Sequence, residues 1–117
     1  MVQALLIGRG LGGSPPLIKN RGKMKVLITG GAGFIGSHLA RHHLEAGHEV
    51  VVLDSLRSGR CNIEESLLTR GSVTDFDLVD RLMAGVQSVF HLAALVSVPE
   101  SLEKPHECVD INVHGTL

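Results

Sequence analysis

A glycine-rich run over residues 29–36, read TGGAGFIG, constrains the fold of this chain more than any other feature. A short apolar strand precedes the run, and a segment with helical character follows it. Glycines carry no Cβ, so backbone N–H groups can approach a phosphate, and the N-terminus of the next helix adds partial positive charge. Strand, glycine turn and helix in this order suit a dinucleotide pyrophosphate, so we expect Gly30, Gly33 and Gly36 to form a phosphate-binding turn.

The rest of the chain alternates predicted strands and helices, which is typical of a parallel sheet with helices on its faces. Strands are predicted over 25–29, 49–53, 67–70 and 88–93, and helices over 34–46, 76–84 and from residue 105 to the end. Gly47 fits the end of the first helix, and Thr74 or Asp75 can cap the second. The sequence therefore predicts an α/β fold within a single domain.

The glycine spacing G-x-x-G-x-x-G and the residues within it resemble the short-chain dehydrogenase/reductase superfamily. The similarity is greatest to its extended branch, the NAD-dependent epimerase/dehydratase family, which acts on nucleotide sugars. It covers residues 24–117 and implies the N-terminal part of an NAD(P)-binding, Rossmann-like doubly wound parallel sheet, truncated after about four strands. In the family's strand order, 3-2-1-4, the fourth predicted strand would present an open apolar edge.

Asp54 ends the second predicted strand, where a carboxylate can accept hydrogen bonds from the adenosine ribose and would repel a 2′-phosphate. NAD is therefore the expected cofactor, and Arg57 nearby leaves NADP as the less favoured alternative. Ser72 stands where many relatives have an aspartate, so it brings no charge to the adenine. The resemblance implies cofactor contacts at Gly30, Gly33, Phe34, Ile35, Gly36, Asp54, Ser72, Val73, Leu92, Ala93, Ala94 and Asn112, and a substrate contact at Ser97.

No catalytic residue is assigned to this chain. The pair that the resemblance implies, Tyr-x-x-x-Lys, is not in these 117 residues, which include no tyrosine. His91 lies in an apolar strand, which favours a packed, hydrogen-bonded histidine over an acid or base. The two cysteines, Cys61 and Cys108, have no metal-ligand spacing and are predicted to be reduced thiols, and no metal site is expected.

Residues 1–23 carry four basic residues and no acidic one, and we interpret them as a flexible basic leader. Residues 8–13 match G-x-G-x-x-G, but Pro15 and Pro16 follow, and paired prolines do not provide the helix that a phosphate site needs. Translation that begins at Met24 is an alternative interpretation.

The formal net charge of −1 indicates neither nucleic acid nor a membrane as a partner. The leading hypothesis is the NAD-binding portion of a nucleotide-sugar epimerase or dehydratase, of the UDP-hexose 4-epimerase type, which works through a transient 4-keto sugar. The resemblance further implies a nucleotide-sugar substrate, a homodimer, a cytoplasmic location and a role in carbohydrate metabolism. A stand-alone dinucleotide-binding module and a truncated product without function remain alternatives.

Overall fold

The computed structural model describes the backbone of Gln3–Leu6 and residues 22–58 and 60–117. These residues form a five-stranded sheet with the strand order β1-β5-β2-β3-β4. The strands are β1 (Gln3–Leu6), β2 (Lys25–Thr29), β3 (Glu49–Asp54), β4 (Leu68–Arg70) and β5 (Ser88–His91). Strands β4, β3, β2 and β5 are parallel, which confirms the predicted order of four strands.

Both faces of the sheet are covered, because the central strands alternate their apolar side chains between two clusters. Val26 and Ile28 point to one face, where they pack with Val52 and the first helix. Leu27 points to the other face and packs with Leu53 and residues of the second helix. Strands that are buried on both faces read as continuous apolar runs, as this sequence does.

The helices follow the strands as the alternating pattern predicts. They are α1 (Phe34–Glu45), α2 (Phe76–Met83), α3 (Val98–Glu103) and α4 (Pro105–Val109), with a 3₁₀ turn over Glu65–Leu67 and a π-helical turn over Asp110–His114. Gly47 follows the end of α1 with φ of +83°, a left-handed conformation that favours glycine. The Asp75 carboxylate accepts a hydrogen bond from the Leu78 N–H at 3.1 Å and so caps α2.

Most element boundaries agree with the predictions to within one residue, and three segments differ by more. Strand β5 ends at His91 rather than residue 93, because the Ala93 N–H donates to the side-chain hydroxyl of Thr29 and not to a backbone carbonyl of β2. Helix α3 lies in a segment for which no helix is predicted from the sequence; Ser97 caps it, and a proline in its first turn favours the helix. The helix from Pro105 is short and continues as the π-helical turn.

The prediction of an open edge on β5 is wrong for the described residues. Strand β1 pairs with β5 in antiparallel fashion, from Gln3 opposite His91 to Leu6 opposite Ser88. Residues 3–6 belong to the segment interpreted as a flexible leader, and they form a strand instead. Residues 1–2 and 7–21 of that leader, which include the second glycine motif, lie outside the described residues.

Candidate functional site

The glycine turn joins β2 to α1, and each of its three spaced glycines has a different environment. Gly30 has φ of +69°, and a Cβ there would meet the Ala93 backbone nitrogen at 2.7 Å. A Cβ on Gly36 would meet the Gly30 carbonyl oxygen at 2.5 Å. Helix α1 can therefore approach the turn this closely only because residue 36 has no side chain. Gly33 differs, because its nearest neighbour is that same oxygen at 3.4 Å, an ordinary contact. The turn is therefore tight at both ends and open in the middle, where a phosphate would have to approach.

Asp54 braces this turn from the end of β3. One carboxylate oxygen accepts a hydrogen bond from the Ala32 N–H at 3.0 Å, and the other accepts one from the Leu56 N–H at 2.8 Å. Leu56 has φ of +55°, which is uncommon for a residue other than glycine, and the second bond holds it there. A carboxylate has about four acceptor positions, so two hydrogen bonds leave capacity for ribose hydroxyls.

The residues after β5 lie against the glycine turn. The Leu92 N–H donates to the Thr29 carbonyl at 3.0 Å, and the Ala93 N–H donates to the Thr29 hydroxyl at 3.3 Å. The same residues limit the space at Gly30. The structure therefore brings Leu92 and Ala93 together with the predicted phosphate turn, and it leaves Ala94 exposed next to them.

His91 is enclosed in a chain of hydrogen bonds. Its Nδ1 lies 2.6 Å from the Thr29 hydroxyl, and its Nε2 lies 3.1 Å from the Thr116 hydroxyl. The Thr116 hydroxyl donates its proton to the Asn112 carbonyl at 2.8 Å, so it accepts from His91 Nε2–H. Nδ1 then accepts from the Thr29 hydroxyl, and the network assigns the neutral Nε2–H tautomer. Burial lowers the pKa of His91 below its ordinary value, in agreement with a neutral ring. The arrangement favours the predicted packed histidine.

Asn112 lies in the π-helical turn and holds the segment after β5. Its side-chain oxygen accepts from the Leu95 N–H at 2.8 Å, and its amide donates to the Leu95 carbonyl at 3.0 Å. Leu95 is buried, so the amide satisfies both backbone groups of a residue that water does not reach. Asn112 therefore positions the loop that leads out of β5.

The segment after β4 lines a pocket of about 410 Å³. The pocket is bordered by Ser55, Arg57, Ser72, Thr74, Glu107, Asp110 and Ile111. The Ser72 hydroxyl lies 2.8 Å from that of Thr74 and also accepts the Thr74 N–H at 3.2 Å. Val73 points the other way, into the core with Leu53. Of the two residues predicted to contact adenine, Ser72 is the one on the pocket wall.

The other predicted site residues are Phe34, Ile35 and Ser97. Phe34 and Ile35 begin α1 with side chains that are 76% and 60% exposed. Ser97 caps α3 by accepting the Glu100 N–H at 3.4 Å, which is a structural use of its hydroxyl.

Sequence reasoning missed the surroundings of Arg57. Its Nε donates to the Glu100 carboxylate at 2.9 Å, and its two terminal nitrogens form ion pairs with Glu100 and Glu107. These glutamates are 43 and 50 residues away along the chain, so no local pattern could have indicated the contact.

Across the residues that the structure describes, no group of three or more His, Cys, Asp or Glu could hold a metal ion. Both Cys61 and Cys108 are free thiols. None of the described helices has the length and apolar character needed to cross a bilayer.

A parallel sheet with a strand–glycine turn–helix unit at its centre and an acidic residue at the end of the neighbouring strand defines the class of dinucleotide-binding proteins. Comparison with known proteins narrows this class. The model of the NAD dependent epimerase/dehydratase family matches residues 26–117. The chain belongs to this family, which confirms the resemblance drawn from the glycine motif.

The relatives include several enzymes of that family. A UDP-glucose 4-epimerase of Neisseria meningitidis serogroup B is 39% identical over 104 residues, which cover 80% of this chain and 31% of that protein. The crystal structure of a UDP-glucose 4-epimerase from Thermus thermophilus in complex with NAD is 40% identical, with a TM-score of 0.68, and the match covers 79% of this chain and 31% of that one. TunA, an NAD-dependent NDP-hexosamine 5,6-dehydratase, is also 40% identical, with a TM-score of 0.66 over 78% of this chain and 30% of its own. The chain therefore spans about a third of the length of these relatives.

Proposed function

We propose that this chain binds NAD through the glycine turn and forms the cofactor-binding portion of a nucleotide-sugar epimerase of the UDP-hexose 4-epimerase type. The observation that carries the proposal is the turn itself, which is closed by backbone at Gly30 and Gly36 and open at Gly33. The Asp54 carboxylate fixes the same turn through the Ala32 N–H. These features fit a pyrophosphate at the turn and a ribose at the end of β3.

Bound NAD would supply the chemistry of the family, in which a hydride leaves the sugar to form a 4-keto intermediate and then returns. The residues of this chain bind and orient. The turn presents its backbone N–H groups, Asp54 accepts hydrogen bonds from the adenosine ribose, and Ser72 borders the space for adenine. The resemblance assigns Ala93, Ala94 and Asn112 to the nicotinamide side of the site and a substrate contact to Ser97. Proton transfer from the sugar requires a tyrosine, and these 117 residues include none.

Titration calorimetry with NAD tests the binding step. We expect the wild-type chain to bind NAD and Gly33→Ala to bind it more weakly, because the added methyl group occupies the open approach. Gly22→Ala is the matched control, since a Cβ at Gly22 meets nothing within 4 Å and lies before β2. A wild-type chain that binds no NAD, or a Gly33→Ala chain that binds it as well as wild type does, contradicts the proposal.

The epimerase assignment needs a second experiment, because the chain spans about a third of its relatives. Residues 24–117 replace the matching part of the Thermus enzyme, and the chimera is assayed for the conversion of UDP-glucose to UDP-galactose. We expect turnover with bound NAD. A folded chimera that retains NAD and shows no turnover contradicts the assignment.

The broader biological assignments are proposals of the same kind. We expect the protein that contains this chain to take a nucleotide sugar as its substrate, to form a homodimer and to act in carbohydrate metabolism in the cytoplasm. These expectations rest on family membership. Size-exclusion chromatography with light scattering tests the dimer.

A further inference from the structure

Arg57 is held by two carboxylates from separate helices. Its Nε donates to one oxygen of Glu100 on α3 at 2.9 Å, and a terminal nitrogen pairs with the same oxygen. The other terminal nitrogen pairs with Glu107 on α4. A guanidinium presents its donors in a rigid fork, so these contacts fix its direction. We call this group of Arg57, Glu100 and Glu107 the carboxylate clasp.

The clasp lies at the adenosine end of the proposed cofactor site. Arg57 is three residues after Asp54, the proposed ribose ligand, and both Arg57 and Glu107 line the 410 Å³ pocket that Ser55 and Ser72 also border. The Arg57 side chain is 34% exposed, so it is neither buried in the core nor free in solvent. An arginine at this place in the fold is the group that accommodates the 2′-phosphate of NADP.

The charges around the pocket oppose that use of Arg57. The hydrogen bonds from Arg57 lower the pKa of Glu107, so this carboxylate is ionised at neutral pH. The Lys104 ammonium lies 3.8 Å from the second oxygen of Glu107. The formal charges of the carboxylate clasp and Lys104 therefore sum to zero. Asp110 borders the same pocket, and Asp54 ends β3 three residues before Arg57, so further carboxylates stand near the site. A 2′-phosphate would meet these carboxylates while the cation that could pair with it is occupied.

We propose that Glu100 and Glu107 are specificity-determining residues, which select NAD over NADP by holding Arg57 in the clasp. The inference rests on the proposed function and adds the residues that decide between the two cofactors. Two features then discriminate against NADP: the acidic residue at the end of β3, and the ion pairs that keep Arg57 from a 2′-phosphate. An arginine in the sequence at this position therefore does not by itself indicate NADP.

The double variant Glu100→Gln/Glu107→Gln tests the inference, with Kd values for NAD and NADP measured by calorimetry. Release of Arg57 is expected to raise the affinity for NADP about five- to tenfold, a modest gain because the arginine is partly exposed. NAD affinity is expected to stay within about twofold, since NAD has no 2′-phosphate to pair with Arg57. Adding Arg57→Ala to the double variant is expected to remove the gain.

The matched control is Glu65→Gln/Glu103→Gln, which removes the same charge at two exposed glutamates outside the clasp. Its NADP-to-NAD affinity ratio should equal that of wild type; a gain equal to that of the clasp variant overturns the inference in favour of a general charge effect. An unchanged ratio in a clasp variant that still binds NAD overturns the inference alone. A wild-type chain that binds neither dinucleotide overturns both the inference and the proposed function. Where the double variant does not fold, Glu100→Gln and Glu107→Gln are measured singly, and two unchanged ratios overturn the inference.

Discussion

Gly36→Ala tests whether the glycine turn depends on close approach of helix α1. A Cβ on Gly36 would lie 2.5 Å from the Gly30 carbonyl oxygen and 2.5 Å from the Gly31 Cα. Both are backbone atoms, so no side-chain rotation relieves the clash, and the helix has to move away from the turn. The change therefore strains the contact between β2, the turn and α1.

The size of the effect follows from two opposing terms. Overpacking in a close-packed region costs about 1–3 kcal/mol. Alanine regains up to about 1 kcal/mol of helix propensity over glycine. Two clashes with backbone atoms place the overpacking cost at about 2–3 kcal/mol, so the net loss in the free energy of unfolding is about 1–2 kcal/mol. This corresponds to a fall in Tm of about 4–10 °C in a domain of this size. Thermal unfolding followed by circular dichroism measures it.

Gly33→Ala is the control, since it makes the same chemical change in the same turn. Its new Cβ would be 3.4 Å from the Gly30 oxygen, an ordinary contact, and φ of −72° suits alanine. We expect a Tm within about 2 °C of wild type together with weaker NAD binding. A Gly36→Ala chain with the Tm of wild type, or a Gly33→Ala chain that unfolds as early as Gly36→Ala, would refute the reasoning.

Three other changes give further tests. Asp54→Asn leaves one acceptor for two backbone N–H groups, so we expect a loss of about 1–3 kcal/mol in urea denaturation; an unchanged midpoint contradicts the bracing of the turn. Asn112→Leu removes both hydrogen bonds to Leu95, and a similar loss is expected, whereas the same change at exposed Asn62 should leave the midpoint unaltered. Acidification tests the two histidines whose pKa burial lowers, His91 and His43: the unfolded chain binds protons from about pH 6.5, so stability is complete above that pH and falls below it. Equal urea midpoints at pH 7.5 and 5.5 contradict this reasoning.

Local patterns were sufficient for much of the fold. Apolar runs bounded by glycines or polar residues located β2, β3, β4 and β5, and Thr74 or Asp75 as a cap marked the start of α2, since caps and turn residues act within a few positions. The ends of elements were less predictable. Strand β5 ends before Ala93, whose N–H donates to the hydroxyl of Thr29, a residue 64 positions away along the chain. Strand β1 depends on pairing with β5 across more than eighty residues, so local composition predicted a leader there instead.

In the candidate site, too, some features could be predicted from local sequence and others depend on tertiary contacts. The sequence by itself determined the glycine turn and the acidic end of β3, because the chemistry of a close backbone approach permits few residue types. Only the tertiary structure decided what the other side chains do. Parallel register places His91 beside Thr29, and helices α3 and α4 bring Glu100 and Glu107 to Arg57. Contacts between residues far apart along the chain depend on how the elements pack, and no spacing in the sequence records them.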